Sequence, residues 1–528
     1  MAAQLHDGPS VSQIPWSASL QTLADQFGER IAISDAADRF LTYDDLCAQA
    51  HGLAHTLLAR LGQLDGKPVA TLLPNSVTAV WSSYGLRMTG AAEVPVGWSS
   101  TPDETAWCAH LAGFTHVLTL SLRADEVRRT GLEPICLDTL DLPSDRRTLP
   151  AVTDHHPGRI LFTSGTTGKP KGVLYSHGRR WAGEQLLKAT LPFIPRPGDK
   201  IILMTPFVHG SSLLTYAWCD FGAHVVLLDG VRHEDLARVL PDPSVRAVFA
   251  PPTVLAKITT LFEDQTFEHV QCVFTGTQPL TQSVYRRASA MFGPVVRITY
   301  GKSECVNPIT VLSPEQTRTY YEADTVPPGA CVGFPAPGVE IHIEHASASE
   351  STESEADHDA DGEIWLRARQ MSLGMITEAG FAPHQPDGWH QTGDLGHFDA
   401  QGRLVLTGRV ADVIKTGGYR VNPDEIEALL TGWSSAMQIS VTSLPSDYWG
   451  EIIIAVAESP EADWHDKVAQ RVSELSKHKR PRLLVTLDAL PRNPQGKVNR
   501  RHVRARVLEH YELQDGPYPS LTVRQGRA

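Results

Sequence analysis

Four short segments of the chain set hydroxyl, carboxylate, guanidinium or ammonium groups beside glycine or proline. From Leu161 to Val173 it reads LFTSGTTGKPKGV, an apolar run entering a loop of Ser164, Gly165, Thr166, Thr167 and Gly168 that carries Lys169 and Lys171. Glycines let backbone N–H groups converge on an anion, hydroxyls add donors and lysines add charge, so this reads as a phosphate cradle. It is not a Walker loop, because Gly165 to Lys169 has the wrong spacing and Pro170 stands where a magnesium-binding hydroxyl is needed. The second segment, ITYGKSE (Ile298–Glu304), ends another apolar run in a ring, a hydroxyl and a carboxylate. Such groups stack on a base, donate to phosphate and bind Mg2+. The third, WHQTGDLG (Trp389–Gly396), carries Asp394 and is followed by LVLTGR, ending at Arg409. A carboxylate accepts from both hydroxyls of a ribose, and a guanidinium holds ribose or phosphate. The fourth, PRNPQGKVNR (Pro491–Arg500), puts Lys497, a point charge on a long stem, in a loop marked by Pro and Gly. Taken singly, each also reads as a turn or a solvated side chain.

These loops need elements to position them. Between about residues 20 and 300, short β-branched runs alternate with longer amphipathic stretches: Val69–Leu73, Ala92–Val96, His116–Leu120, Arg159–Thr163, Ile201–Thr205, His224–Leu228, Ala247–Ala250, Cys272–Thr275 and Val295–Thr299. This alternation predicts α/β layers with mostly parallel sheets, in which ligands sit at the C-terminal ends of the strands. From Glu340 to Arg409 the runs VEIHIE, GEIWLRA and GRLVLTGR shorten and alternate, which predicts a small antiparallel or barrel-like section. Its insertion ASASESTESEADHDADG is acidic and Ser-rich and reads as a solvated loop; His358 among its aspartates is a weak metal candidate. After Arg409, paired glycines, a capped helix, a strand over Glu451–Ala457 and a helix near Asp466–Lys477 predict a small mobile α+β domain. The expected division is 1–409, 410–515 and a loose tail over 516–528.

Composition narrows the function. At 528 residues and 41% hydrophobic, the chain has material for more than one core. A net charge of −13 with no basic stripe argues against nucleic acid. The seven cysteines are scattered and never paired as CxxC, the N-terminus lacks a basic start and apolar stretch, and no apolar run is long enough for a bilayer. A cytoplasmic location without a membrane span is the expectation.

In order, and through nearly the whole chain from LTYDDL at Leu41 to PRNPQGKVNRR at Pro491, the segments resemble the acyl-adenylate-forming superfamily of acyl-CoA synthetases, peptide-synthetase adenylation domains and firefly luciferase. The resemblance implies that Ser164, Gly165, Thr166, Thr167, Lys169 and Lys171 hold ATP. It also implies that Tyr300 meets adenine, Ser303 a phosphate and Glu304 Mg2+, while Asp394 and Arg409 hold the ribose. Thr163, Glu304 and Lys497 are then the catalytic candidates, with Lys497 bridging the carboxylate and the α-phosphate. Lys415, Gly417 and Gly418, in ADVIKTGGYR, are assigned to nucleotide and thiol binding, the bare glycines suiting a pantetheine arm; a tight turn explains them equally well. At the hinge position two residues past Arg409, where relatives often carry Asp or Lys, this chain has Ala411.

By the same resemblance, TPFVHGSSLL and TGTQPL line the acyl pocket through His209, Ser211, Thr275, Gly276 and Thr277, together with Thr299. Val208 stands where relatives that activate α-amino acids have Asp, which argues against such a substrate. Ser211 replaces the bulky ring of some aryl-acid enzymes and suggests an open pocket floor. The implied activity is ATP-dependent conversion of a carboxylic acid to acyl-AMP, then transfer to CoA, by a monomer or homodimer. Three alternatives stay open: loading of a separate phosphopantetheine carrier, use of the acyl-AMP for amide formation or oxidation, and a silent nucleotide or acyl-AMP binding protein.

Overall fold

The computed structural model describes residues 12–163, 170–323, 327, 329–345, 361–385, 387–417, 419–431, 438–458, 460, 462–473, 475–492 and 497–524. All nine β-branched runs become strands, Ala92–Val96 with unchanged bounds and the others moved by one to three residues at one or both ends. They are sorted into two large sheets. In the first, of eight strands, Glu133–Cys136, His116–Thr119, Pro68–Leu72, Ala92–Val96 and Pro157–Thr163 lie side by side, and Lys171–Ser176 continues antiparallel. In the second, of thirteen, Ile31–Asp35, His224–Leu227, Lys200–Leu203, Val245–Phe249, Cys272–Gly276 and Val296–Lys302 are parallel neighbours. Strands covered by helices on both faces need no polar side: Ile201, Ile202 and Leu203 are fully buried.

The region from Glu340 to Arg409 is antiparallel, as its short alternating runs predict. It is not a free-standing unit. Val339–Glu344, Gly362–Ala368, His390–Phe398 and Leu404–Arg409 join the second sheet through Ala330–Pro335, while Gly374–Thr377 and Gly380–Pro383 extend the first. Val339–Glu344 and Gly380–Pro383 thereby become the outermost strands at that end of the two sheets. His358 and the acidic insertion around it lie outside the described residues.

Helix starts follow local chemistry. Thr42, Thr101 and Ser313 each close a capping box, and Ser76, Ser176 and Thr281 accept from the third residue of their helices.

A buried ionic cluster joins the layers beneath the two ligand segments. Glu93 accepts from Ser83 at 2.5 Å and lies 3.2 Å from Arg180 and 3.7 Å from Arg159. Arg159, on the strand that enters the phosphate cradle, donates to Ser212 at 3.2 Å, on the helix that follows the expected acyl segment. Removing one partner from such a cluster would strand a buried charge, so it fixes the relative placement of these two elements.

Past Arg409, a five-stranded sheet of Ile414–Thr416, Tyr419–Val421, Gln438–Ser446, Gly450–Glu458 and Leu483–Leu487 carries the helices Pro423–Thr431, Trp464–Val472 and Arg500–His510. The tail is not loose from Gly516. Ser520–Val523 returns antiparallel onto Tyr511–Gln514, Leu513 and Leu521 pack on the core of this sheet, and Asp515 accepts from Ser446, Asp447 and Tyr448.

Candidate active site

The strand Val296–Lys302 ends at the centre of the site. Alternation sends Tyr300 and Lys302 to one face, where both reach Asp394 on His390–Phe398, a strand further along the same sheet. Tyr300 Oη donates to Asp394 Oδ2 at 2.5 Å, and Lys302 Nζ donates to the same oxygen at 3.0 Å and to the Thr392 carbonyl at 2.8 Å. Arg409 Nε stands 3.1 Å from Asp394 Oδ1, and the two residues are direct partners across the strand pair. Asp394 is only 5% exposed. Burial pushes its carboxyl up, but Lys302 and Arg409, with the Tyr300 hydrogen bond, outweigh burial and hold it below the ordinary carboxylate value. Burial, and then the charge of Asp394, raise the Tyr300 phenol well above its usual range, so it is a neutral donor here.

Lys497 enters from the small sheet. It is partly buried, and Arg409, Asp424, Asp394 and Arg500 are near enough to act on its charge. Burial first, then Arg409, lower its ammonium below the ordinary lysine value, against the opposing pull of Asp424 and Asp394. Arg500, three residues on, anchors this arm: it pairs with Asp412 at 2.8 Å, with Glu427 at 2.5 Å and with Asp424. The structure thus brings Tyr300, Asp394, Arg409 and Lys497 together across 197 residues of sequence from Tyr300 to Lys497.

Glu304 follows two residues after Lys302, with its carbonyl bonded by the Ser372 N–H at 2.8 Å. Its charge is felt by His384 and His390, whose rings meet at 4.8 Å. Burial lowers His390 to about 4. A single hard carboxylate suits Mg2+ held largely by phosphate and water, and among the described residues no group of three or more His, Cys, Asp or Glu stands ready to hold a metal. Ser303 is exposed, and its carbonyl accepts from Tyr175 Oη at 2.5 Å.

The phosphate cradle is described only at its ends. Thr163 and Lys171 are Cα partners in an antiparallel pair, so the cradle is flanked by two strands and not by the strand and helix of a Walker site. Ser164, Gly165, Thr166, Thr167 and Lys169 lie outside the described residues, as do Gly418 and the side chain of His209. Gly417 takes φ +55° in a two-residue turn between Thr416 and Tyr419, so at least one of the paired glycines serves the turn. Lys415 is exposed on the neighbouring strand, with its backbone N–H on Glu451.

The expected acyl segments converge differently from expectation at one residue. Phe207–Ser211 forms a π-helical turn, a rare geometry frequent at functional sites. Ser211 does not open a pocket floor: it is fully buried and bonded to Thr205 through both hydroxyl and carbonyl, because a small hydroxyl at a turn satisfies local backbone. Gly276 passes the adjacent strand so closely that a Cβ would lie 2.4 Å from the Thr299 carbonyl, and Thr277 takes φ +70°, costly for a β-branched residue. The Thr275 hydroxyl is buried with no hydrogen-bond partner in the structure, and Thr299 accepts from Asn307 at 3.4 Å. Lys302 is the residue that the sequence reading passed over. Its position inside YGKSE was visible, but a lysine in a turn motif gives no signal of a buried partner 92 residues away.

Comparison with known proteins supplies the family. Residues 20–375 match the family model described as AMP-binding enzyme. A 4-chlorobenzoate–CoA ligase from Arthrobacter sp is 26% identical, over 96% of both chains. A fatty acid–[acyl-carrier-protein] ligase from Streptomyces coeruleorubidus is 28% identical, over 89% of this chain and 92% of its own. Among solved structures, o-succinylbenzoate CoA synthetase from Bacillus subtilis, in complex with an acyl-adenylate intermediate, shares the fold with a TM-score of 0.79 at 24% identity, covering 93% of this chain and 98% of its own. With the family model spanning well over half of its length, and with two sheets, an Asp394 centre and a lysine arm in place, the chain belongs to the AMP-binding enzyme family.

Proposed function

We propose that this enzyme joins a carboxylic acid to AMP at the expense of ATP and passes the acyl group to the thiol of CoA. The observation that supports the reading is the Asp394 centre, bonded by Tyr300 and Lys302 and paired with Arg409, with Lys497 within reach of the charges of Asp394 and Arg409. A carboxylate is a poor electrophile, and acylation needs a better leaving group than oxide. A carboxylate oxygen of the acid attacks the α-phosphorus of ATP, the bond from that phosphorus to the bridging oxygen breaks, and pyrophosphate leaves. No base is required, so the protein contributes position and charge. Asp394 and Arg409 hold the ribose, the cradle beyond Thr163 takes the outer phosphates, and Lys497 bridges the entering carboxylate and the α-phosphate. Mg2+, held by Glu304 with the phosphates, would offset the negative charge on the triphosphate.

In the second step a thiolate attacks the acyl carbon, and AMP departs with the electron pair of the anhydride bond. We assign the hinge to the segment after Arg409, with residues 410–515 turning as a lid that withdraws Lys497 and presents the Gly417 turn. Val208 offers no carboxylate to an ammonium, so the acid is not an α-amino acid. The π-turn at Phe207–Ser211 and the Thr275–Thr277 strand end are the acyl-binding elements. No helix among the described residues is long and apolar enough to cross a membrane, and we place the enzyme in the cytoplasm.

Mass spectrometry of the protein with Mg-ATP and a panel of aryl, medium-chain, long-chain and β-amino acids, with and without CoA, tests this. Acyl-AMP from one acid class, converted to acyl-CoA when CoA is added, is the expected result; no AMP from any acid overturns it. Loading of a carrier protein is the second reading, favoured by the 28% identity to a carrier-protein ligase. Acyl-AMP that never passes to CoA would select it.

A further inference from the structure

We infer that Lys302 is a nucleotide-positioning residue, the internal counter-ion that fixes the Asp394 carboxylate for the ribose of the bound nucleotide. The inference rests on the reading of Asp394 as the ribose acceptor and assigns a residue that the four sequence segments leave without a role.

Lys302 and Asp394 are both nearly enclosed, with side chains 11% and 7% exposed. At this depth an ion pair is not the loose contact of a surface, and each group needs its remaining hydrogen bonds met. They are met on the lysine by the Thr392 carbonyl. Thr392 is itself fixed, its hydroxyl donating to the Ile364 carbonyl at 2.6 Å and accepting from the Asp394 N–H at 3.0 Å. The ammonium is therefore held from one strand against a turn whose own geometry sets Asp394.

Counting acceptor sites gives the pairing a consequence. An ionised carboxylate offers about four lone-pair positions. Tyr300 and Lys302 occupy those of Oδ2, while Oδ1 faces Arg409 as an ion pair at 3.1 Å. Oδ1 is thus the oxygen left to accept from a ligand, and it is aimed by the donors on the other oxygen. Lys302 thus sets which carboxylate oxygen meets a ribose hydroxyl, and from what direction. Without it, the cation left in ion-pair contact with Asp394 is Arg409, whose side chain is half exposed at 51% and less able to fix an orientation.

The test is binding, measured by calorimetry on the full chain with ATP and with 2′,3′-dideoxy-ATP, for wild type, Lys302→Met and Lys302→Arg. Met keeps the length and apolar stem of lysine; Arg keeps the charge. Wild type should prefer ATP by about 10-fold, the scale of a hydrogen bond to a charged group. Lys302→Met should bind ATP about 10-fold more weakly and lose most of that preference, with Lys302→Arg restoring a good part of both. Thermal unfolding of each variant verifies that it is folded. A folded Lys302→Met that discriminates ATP from the dideoxy analogue as wild type does overturns the inference. Failure of the proposed function is a different result: wild type that prefers ATP over the dideoxy analogue yet forms no acyl-AMP with any acid.

Discussion

The two sides of the site are built in opposite ways. On the body side Asp394 is held by Tyr300, Lys302 and Arg409, all on strands of one sheet, and its geometry is set before any ligand arrives. On the other side a single lysine arrives on an arm from a separate five-stranded sheet, fastened by Arg500 to Asp412, Asp424 and Glu427. Recognition of a nucleotide gains from rigid, pre-aimed groups, because no reorganisation then opposes binding. A group needed in one step and obstructive in the next gains from sitting on a part that turns away.

The sharpest way to break this contrast is Lys497→Ala. Pyrophosphate release in a single turnover should fall by about 10³-fold, the scale of losing one charged group aimed at a transition state. Thiol transfer from preformed acyl-AMP should stay within roughly two-fold of wild type, since Lys497 is proposed to act in the first step alone. Unchanged pyrophosphate release would remove Lys497 from the chemistry.

Arg500→Met asks whether the arm depends on its anchor. Three carboxylates lose their shared cation, and Glu427 is already pushed up by burial against the pull of Arg500. The small domain should lose about 4 kcal/mol, the cost of breaking a buried ionic group from one side. Hydrogen exchange should show faster opening from residue 410 onward and little change in the strands Ile201–Leu203 and Val273–Gly276. Equal loosening of body and lid would show that the two are one cooperative unit.

Acid should act on the body in a way set by its neutral histidines. Burial lowers His177 to about 3 and His224 to about 4, and each is engaged as a neutral ring by Trp16 and Ser34 respectively. Their folded values lie below the unfolded value near 6.5, so the unfolded chain binds more protons in between. Stability is therefore complete above pH about 6.5 and drains as pH falls toward about 4, by about 3 kcal/mol for each histidine. Chemical denaturation between pH 7 and pH 5 measures this. His224→Gln should flatten the acid slope, and an unaltered slope would mean that this ring does not supply it.

Much of this architecture was legible residue by residue. The nine β-branched runs could be read as strands because burial on two faces demands continuous apolar sequence, which leaves a strong local pattern. The segments around Glu304, Asp394, Arg409 and Lys497 were legible because glycine, proline and charged groups in short loops are poor core material and need another reason to be there. Ser211 misled because a small residue reads as space, while in the structure its hydroxyl closes on Thr205. The tail from Gly516 misled because Leu513 and Leu521 are too few to announce a core, and only the surface they meet gives them one.

By itself, then, the sequence determined the parallel α/β layers and the short loops that carry the groups proposed to handle phosphate, ribose and carboxylate. Each of these depends on interactions within a few residues or on a repeating apolar period. The tertiary structure decided that Lys302 faces Asp394, that the antiparallel strands after Glu340 continue the large sheets, and that the Lys497 arm lies within reach of the charges of Arg409 and Asp394. Such pairings join positions about 70 or more residues apart, and the free energy that selects them comes from burial and charge neutralisation, which no local pattern encodes.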